Sequence, residues 1–128
     1  MNRVEIDPVW LMHVQKPARY VGGEWNSVMK NHADVDVKVA LAFPDVYEVG
    51  MSHLGLKIIY SVINSRKDAL AERVYTPWVD MEKMMRERNI PLYALESKAP
   101  IKDFDVLGFT MPYEMCYTNI LNMIDLSG

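Results

Sequence analysis

The stretch VKVALAF (Val37–Phe43) constrains this chain more than any other. Six of its seven residues are apolar, and the run stops at Pro44. A strand that is apolar on both faces belongs in a parallel sheet covered by helices. The residues after it support that reading. A turn, PDVYEVGMSHLG, leads into LKIIYSVIN, where Leu56, Ile59, Tyr60 and Ile63 recur at helical spacing. Ser52 stands where it can cap that helix. A buried strand running into an amphipathic helix is the first half of a βαβ unit.

The same alternation continues along the chain. AERVYTP predicts a second strand at 72–75, and WVDMEKMMRERN a helix at 79–88, with its acids early and Arg86 and Arg88 late to suit the macrodipole. IPLYALE predicts a third strand at 91–95, and FDVLGFT a fourth at 105–110. A last helix, 114–125, carries Tyr117, Ile120, Leu121 and Ile124 on one face. The fold class is therefore α/β: a Rossmann-like three-layer sandwich with a mostly parallel sheet. Right-handed crossovers put the second and third strands on one side of the first. A return by the fourth to the other side gives the order 3-2-1-4. Residues 97–103 can make that return at roughly 3.3 Å per extended residue.

Ahead of this domain, 34–128, lies an N-terminal arm, 1–33. Asp7-Pro8 is a helix start and Gly22-Gly23 a turn. The 128 residues suffice for one real core. A net charge of −3 without a basic stripe argues against nucleic acid. No apolar run reaches 18 residues, and no signal peptide is visible, so no membrane partner is expected and the location expected is cytoplasmic. One cysteine, Cys116, leaves no internal disulfide and no Cys-based zinc site. Cys116 falls in line with the last helix's apolar face, where a buried, inert thiol is commoner than a nucleophile. Trp10, Trp25 and Trp78 read as anchors for the arm and for helix packing, and His13 and His32 lack metal-like neighbours.

The order 3-2-1-4 places a switch point between the first and fourth strands, where ligands of open α/β sheets sit. Its two lips are Asp45–Gly55 and Thr110–Glu114. The candidate cofactor-binding residues are Asp45, Tyr47, Glu48, Gly50, Ser52, His53, Gly55, Thr110, Tyr113 and Glu114. Gly50 and Gly55 are too far apart for a dinucleotide fingerprint or a P-loop. Helix-start amides near Ser52–Leu54 can still attract an anion. The plainer alternative is that Gly50 makes the turn and Gly55 lets the helix approach the sheet. Asp45, Glu48 and Glu114 form an acid/base group only if they converge; otherwise they are solvated loop carboxylates. His53 sits where some cobalamin domains ligate cobalt through D-x-H-x-x-G. Met51 and Leu56 occupy the Asp and Gly positions, so a capping or surface histidine is the stronger reading.

KPARYVGGEWNSVMK, FPDVYEVGMSHLGLKIIYSVIN, AERVYTPWVDME and FDVLGFTMPYEMCYTNILNMIDLSG, taken in order, resemble the N-terminus of a widespread bacterial radical SAM family. In that family a cobalamin-binding-like domain precedes the radical SAM barrel. The resemblance runs from about Lys16 to Gly128. It implies a cobalamin-binding-type domain and a fragment of a longer polypeptide, whose further strands and barrel follow. It also implies that [4Fe-4S] and S-adenosylmethionine belong only to the full-length protein, since the cluster takes three cysteines and this chain has one. Met111 stands where relatives more often have a polar residue. The expected role is an accessory, non-catalytic domain that positions cofactor or substrate beside its own C-terminal radical SAM domain, with cobalamin as an option. The substrate stays unknown. Two rivals remain: a nucleotide- or phosphate-binding module at Gly50–Gly55, and a purely structural interface built on Arg3–Lys30 and the last helix.

Overall fold

A computed structural model describes residues 3–128. Its centre is a three-stranded, all-parallel sheet of β1 (Val37–Phe43), β2 (Ala69–Tyr75) and β3 (Val106–Phe109) in the order β2-β1-β3. The β1–β2 register runs from Val37 opposite Ala69 to Phe43 opposite Tyr75. On the other side, Val39 lies opposite Val106 and Ala42 opposite Phe109. The helix α4 (Leu54–Asn64) covers one face, where Leu56 and Tyr60 pack with Leu41, Phe43, Ala71 and Tyr75. The helices α5 (Val79–Arg88) and α6 (Tyr117–Ser127) cover the other, where Met81, Met85, Met123 and Leu126 meet Ala40, Ala42 and Val74. This is the expected Rossmann-like sandwich, with alternate β1 residues serving opposite faces. Three one-turn helices complete it: α1 (Pro8–Leu11), α2 (Ala18–Val21) and α3 (Tyr47–Gly50).

The strand expected at 91–95 does not form, so the order 3-2-1-4 is corrected to a three-stranded 2-1-3. Pro91 has no amide to donate to a ladder. Beyond it the chain doubles back on itself. Tyr93 bridges antiparallel to Pro100, and the Ala94 amide donates to Ala99 O at 2.9 Å. Lys98 takes a left-handed conformation at φ 62° to make that turn. One main-chain-to-main-chain bond reaches β2 from this segment, from the Leu95 amide to Arg73 O. The placement of β1 between the second and last strands is as expected.

The helix faces need two corrections. Leu56 and Tyr60 of α4 are buried, but Ile59 is 48% exposed. On α6 the expected face is the outer one: Tyr117, Leu121 and Ile124 are exposed, while Met123 and Leu126 enter the core. Polar side chains set this rotation. Asn122 accepts from Arg86 at 2.6 Å and donates to Glu82 at 3.0 Å, Asp125 pairs with Arg86 at 2.7 Å, and Asn119 Nδ2 donates to Pro44 O at 2.9 Å. Those partners lie on α5 and at the end of β1, so the outer apolar stripe turns away. Cys116 is fully buried, and its thiol donates to Tyr113 O.

The arm seals the outer side of β2. The Val4 amide donates to Lys98 O, and Lys30 Nζ donates to the carbonyls of Arg66 and Ala69. His32 Nε2 meets Glu72 Oε1 at 2.7 Å. All seven β2 residues are buried.

Candidate functional site

The two loops expected to flank the β1–β3 switch point are joined by one hydrogen bond. Thr110 extends the β3 ladder by donating its amide to Ala42 O at 3.1 Å. The chain then turns so that Tyr113 Oη donates to Asp45 Oδ2 at 3.0 Å. That bond holds the phenol in its neutral form and raises its pKa. Asp45 is fixed from behind: its Oδ1 accepts the Val46 amide, and its carbonyl accepts the Thr76 amide. The two lips therefore meet through Asp45 and Tyr113. Glu114 is exposed in the 3-10 turn Glu114–Cys116 and makes no side-chain hydrogen bond among the described residues. The three carboxylates Asp45, Glu48 and Glu114 are not linked to one another by any hydrogen bond there.

Tyr47 and Glu48 turn the other way, towards the arm. Tyr47 Oη donates to Glu24, and its ring stands edge-on to Tyr75 at 5.4 Å. Glu48 accepts from Arg19 and Lys16, both at 2.8 Å. Arg19 first and Lys16 second hold its carboxyl down at about 2. Gly50 is a packing position: an added Cβ would lie 2.5 Å from Tyr75 Cε1 and 2.8 Å from Phe43 Cδ1. Ser52 does not cap α4; its hydroxyl donates to Val49 O.

The cap of α4 is His53, whose Nδ1 accepts the Leu56 amide at 3.1 Å. Its ring lies 5.1 Å from that of Phe43. A Cβ on Gly55 would sit 3.0 Å from His53 Cε1, so the glycine leaves room for the ring. This cap has a chemical consequence. A neutral imidazole that accepts at Nδ1 carries its proton on Nε2. That nitrogen then has no lone pair for cobalt, so His53 as it stands does not fit the axial ligand of a cobalamin. Among the described residues no cluster of three His, Cys, Asp or Glu side chains is spaced to hold a metal ion.

Sequence reasoning missed the most strongly coupled polar group. Arg73, within β2, is buried. Its Nε donates to Glu96 at 2.6 Å, its Nη1 to Glu24 at 2.5 Å, and its backbone amide to the other oxygen of Glu96 at 2.8 Å. Burial opposes its charge, but Glu96 and Glu24 outweigh that and raise its pKa. Next to it, Glu72 accepts from His32 and, at 2.6 Å, from Ser97 Oγ. The signal was present in the sequence: Glu72-Arg73 are two charges inside an otherwise apolar strand, and buried charges need partners.

An open parallel sheet with helices on both faces defines a Rossmann-like α/β domain. The family model described as "Radical SAM proteins, N-terminal" matches residues 55–128, more than half of the chain. The chain belongs to that family and is an N-terminal domain associated with radical SAM proteins. The match spans α4 to α6 and includes Gly55, Thr110, Tyr113 and Glu114. No curated protein and no solved structure matches the chain. No helix among the described residues is long and apolar enough to cross a membrane.

Proposed function

We propose that this chain is the accessory domain at the N-terminus of a longer radical SAM protein, and that it docks the linked radical SAM portion along β3. The open side of the sheet carries this reading. No strand lies beyond β3 among the described residues, and Val106 is 47% exposed. The helix α6, which follows β3, adds exposed Tyr117, Leu121 and Ile124. Unpaired strand edges and exposed apolar side chains mark surfaces that another segment covers.

In this reading the arm and the domain after it act as one support, in the cytoplasm. The crevice bounded by Asp45, Thr110, Tyr113 and Glu114 helps to position cofactor or substrate at the docked face. The [4Fe-4S] cluster and S-adenosylmethionine reside in the linked portion, because three cluster thiolates cannot come from one buried cysteine. A cobalamin held here would lack His53 as its cobalt ligand. A phosphate at Gly50–Gly55 finds less support, since His53 already takes the Leu56 amide.

The test is the double variant Val106→Lys with Leu121→Lys in the full-length protein. Both side chains are largely exposed, so folding should persist while the docked portion separates. Proteolysis between the domains should accelerate and activity should fall. Unchanged cleavage and activity would mean that this edge docks nothing.

A further inference from the structure

The two crossovers of this sheet share one hand. From β1 the chain passes over one face, with α4, and arrives at β2 on one side of β1. From β2 it passes over the opposite face, with α5, and arrives at β3 on the other side. Reversing both the face and the direction of travel leaves the hand unchanged. Between parallel strands that hand is right-handed in nearly every sheet.

The helix α6 lies on the same face as α5, since Met123 and Leu126 join Met81 and Met85 in one cluster. It also runs parallel to α5: Asn122 donates to Glu82, and Asp125 pairs with Arg86. The helix α5 leaves the carboxyl end of β2 and returns towards the amino ends of the strands. Therefore α6, which leaves the carboxyl end of β3, returns the same way and ends where a further parallel strand starts.

A crossover on the α5 face travels from β2 towards β3. Continued from β3 by way of α6, the same hand leads past β3 to its open edge. The arm and residues 92–98 close the opposite edge to a newcomer. The open edge has the groups to receive one. Thr110 donates its amide to Ala42 O, so the two-residue alternation of a strand turns the main-chain groups of Leu107 and Phe109 away from β1. No strand lies beyond them among the described residues.

We propose that the segment of the full-length polypeptide directly following Gly128 forms a parallel strand on the outer side of β3. The sheet then reads β2-β1-β3 and the new strand. This continuation rests on the reading of the chain as the N-terminus of a longer protein, and it names the first element of the linked portion to dock. Its recognition is main-chain pairing with Leu107 and Phe109. Strands of a parallel sheet are covered on both faces, so the segment is apolar and rich in β-branched residues.

Photo-cross-linking of the full-length protein, with p-benzoylphenylalanine placed at Val106 or at Thr110, tests it. Both sites should cross-link within about 15 residues after Gly128, the span of a short connection and one strand. Parallel pairing puts the Val106 product nearer Gly128 than the Thr110 product, and the reverse order overturns the proposal. Products that map only to the radical SAM portion also overturn it, but leave docking along β3 in place. No product from either site overturns both. Amide exchange in the unsubstituted protein guards against a misfolded variant. Leu107 and Phe109 should exchange about 100-fold or more slower than a free peptide, and rates within about tenfold of it mean that no strand pairs there.

Discussion

The two edges of this sheet have opposite fates. Every β2 residue is buried, and the chain itself covers that edge with the arm and with residues 92–98. The cover is polar as well as apolar: His32 and Ser97 meet Glu72, while Glu24 and Glu96 meet Arg73. At the other edge, β3 is shorter and partly exposed and carries no such partners. The contrast shows where the domain completes itself and where it offers itself. Buried charges tie the arm to one edge in a single geometry, because leaving any of them unpaired is costly. The opposite edge keeps its unpaired main-chain groups and apolar flanks available for association.

Breaking the sealed edge should have the largest effect. Arg73→Ala strands Glu96, whose side chain is fully buried, and frees Glu24 and the arm turn. A loss of about 3–5 kcal/mol is expected in urea denaturation, as for other broken buried pairs. A loss below about 1 kcal/mol would mean that the network is not what holds the arm. The helix packed over β1 and β2 gives a second comparison. Leu56→Ala, at a site 2% exposed, should cost about 2–5 kcal/mol by opening a cavity. Ile59→Ala on the same helix should cost well under that. Equal costs would argue for a different rotation of α4.

A smaller effect concerns the outer strap of the arm. Glu48 is held at about 2, below its ordinary 4.5, by Arg19 and Lys16. A depressed carboxyl pKa contributes stability that is present above pH 4.5 and is lost as pH falls from there towards 2. Because the Glu48 side chain is 38% exposed, solvent screening should keep the contribution below about 1 kcal/mol. Glu48→Gln should flatten the stability profile in that window only. The smallest stability change belongs to the open edge. Leu121→Ser, at a site 67% exposed, should shift stability by no more than about 0.5 kcal/mol. The isolated chain is expected to self-associate through this exposed edge in sedimentation, and Leu121→Ser should weaken that association. Association that is unaffected would place the sticky surface elsewhere.

Much of the fold was written in local pattern. The apolar run of β1, the periodicity of α4 and the charge order of α5 each specify an element from its own residues, and the βαβ alternation makes the sheet parallel. The rest was settled by neighbours distant in sequence. Within IPLYALE only Pro91 warns against a ladder; that the left-handed turn at Lys98 makes the segment a cover for β2 is decided outside it. Nothing within α6 says which of two apolar faces enters the core; Arg86 and Glu82 on α5 decide it through Asn122. The placement of the loops after β1 and β3 side by side was legible, because connection rules put β1 between the second and last strands. The Asp45–Tyr113 bond between them, the turning of Glu48 to the arm and the tautomer of His53 were not. Secondary structure depends on residues a few positions apart, which the sequence carries by itself. Pairing, helix rotation and the partners of a buried charge depend on what lies opposite in space, and only the tertiary structure fixes that.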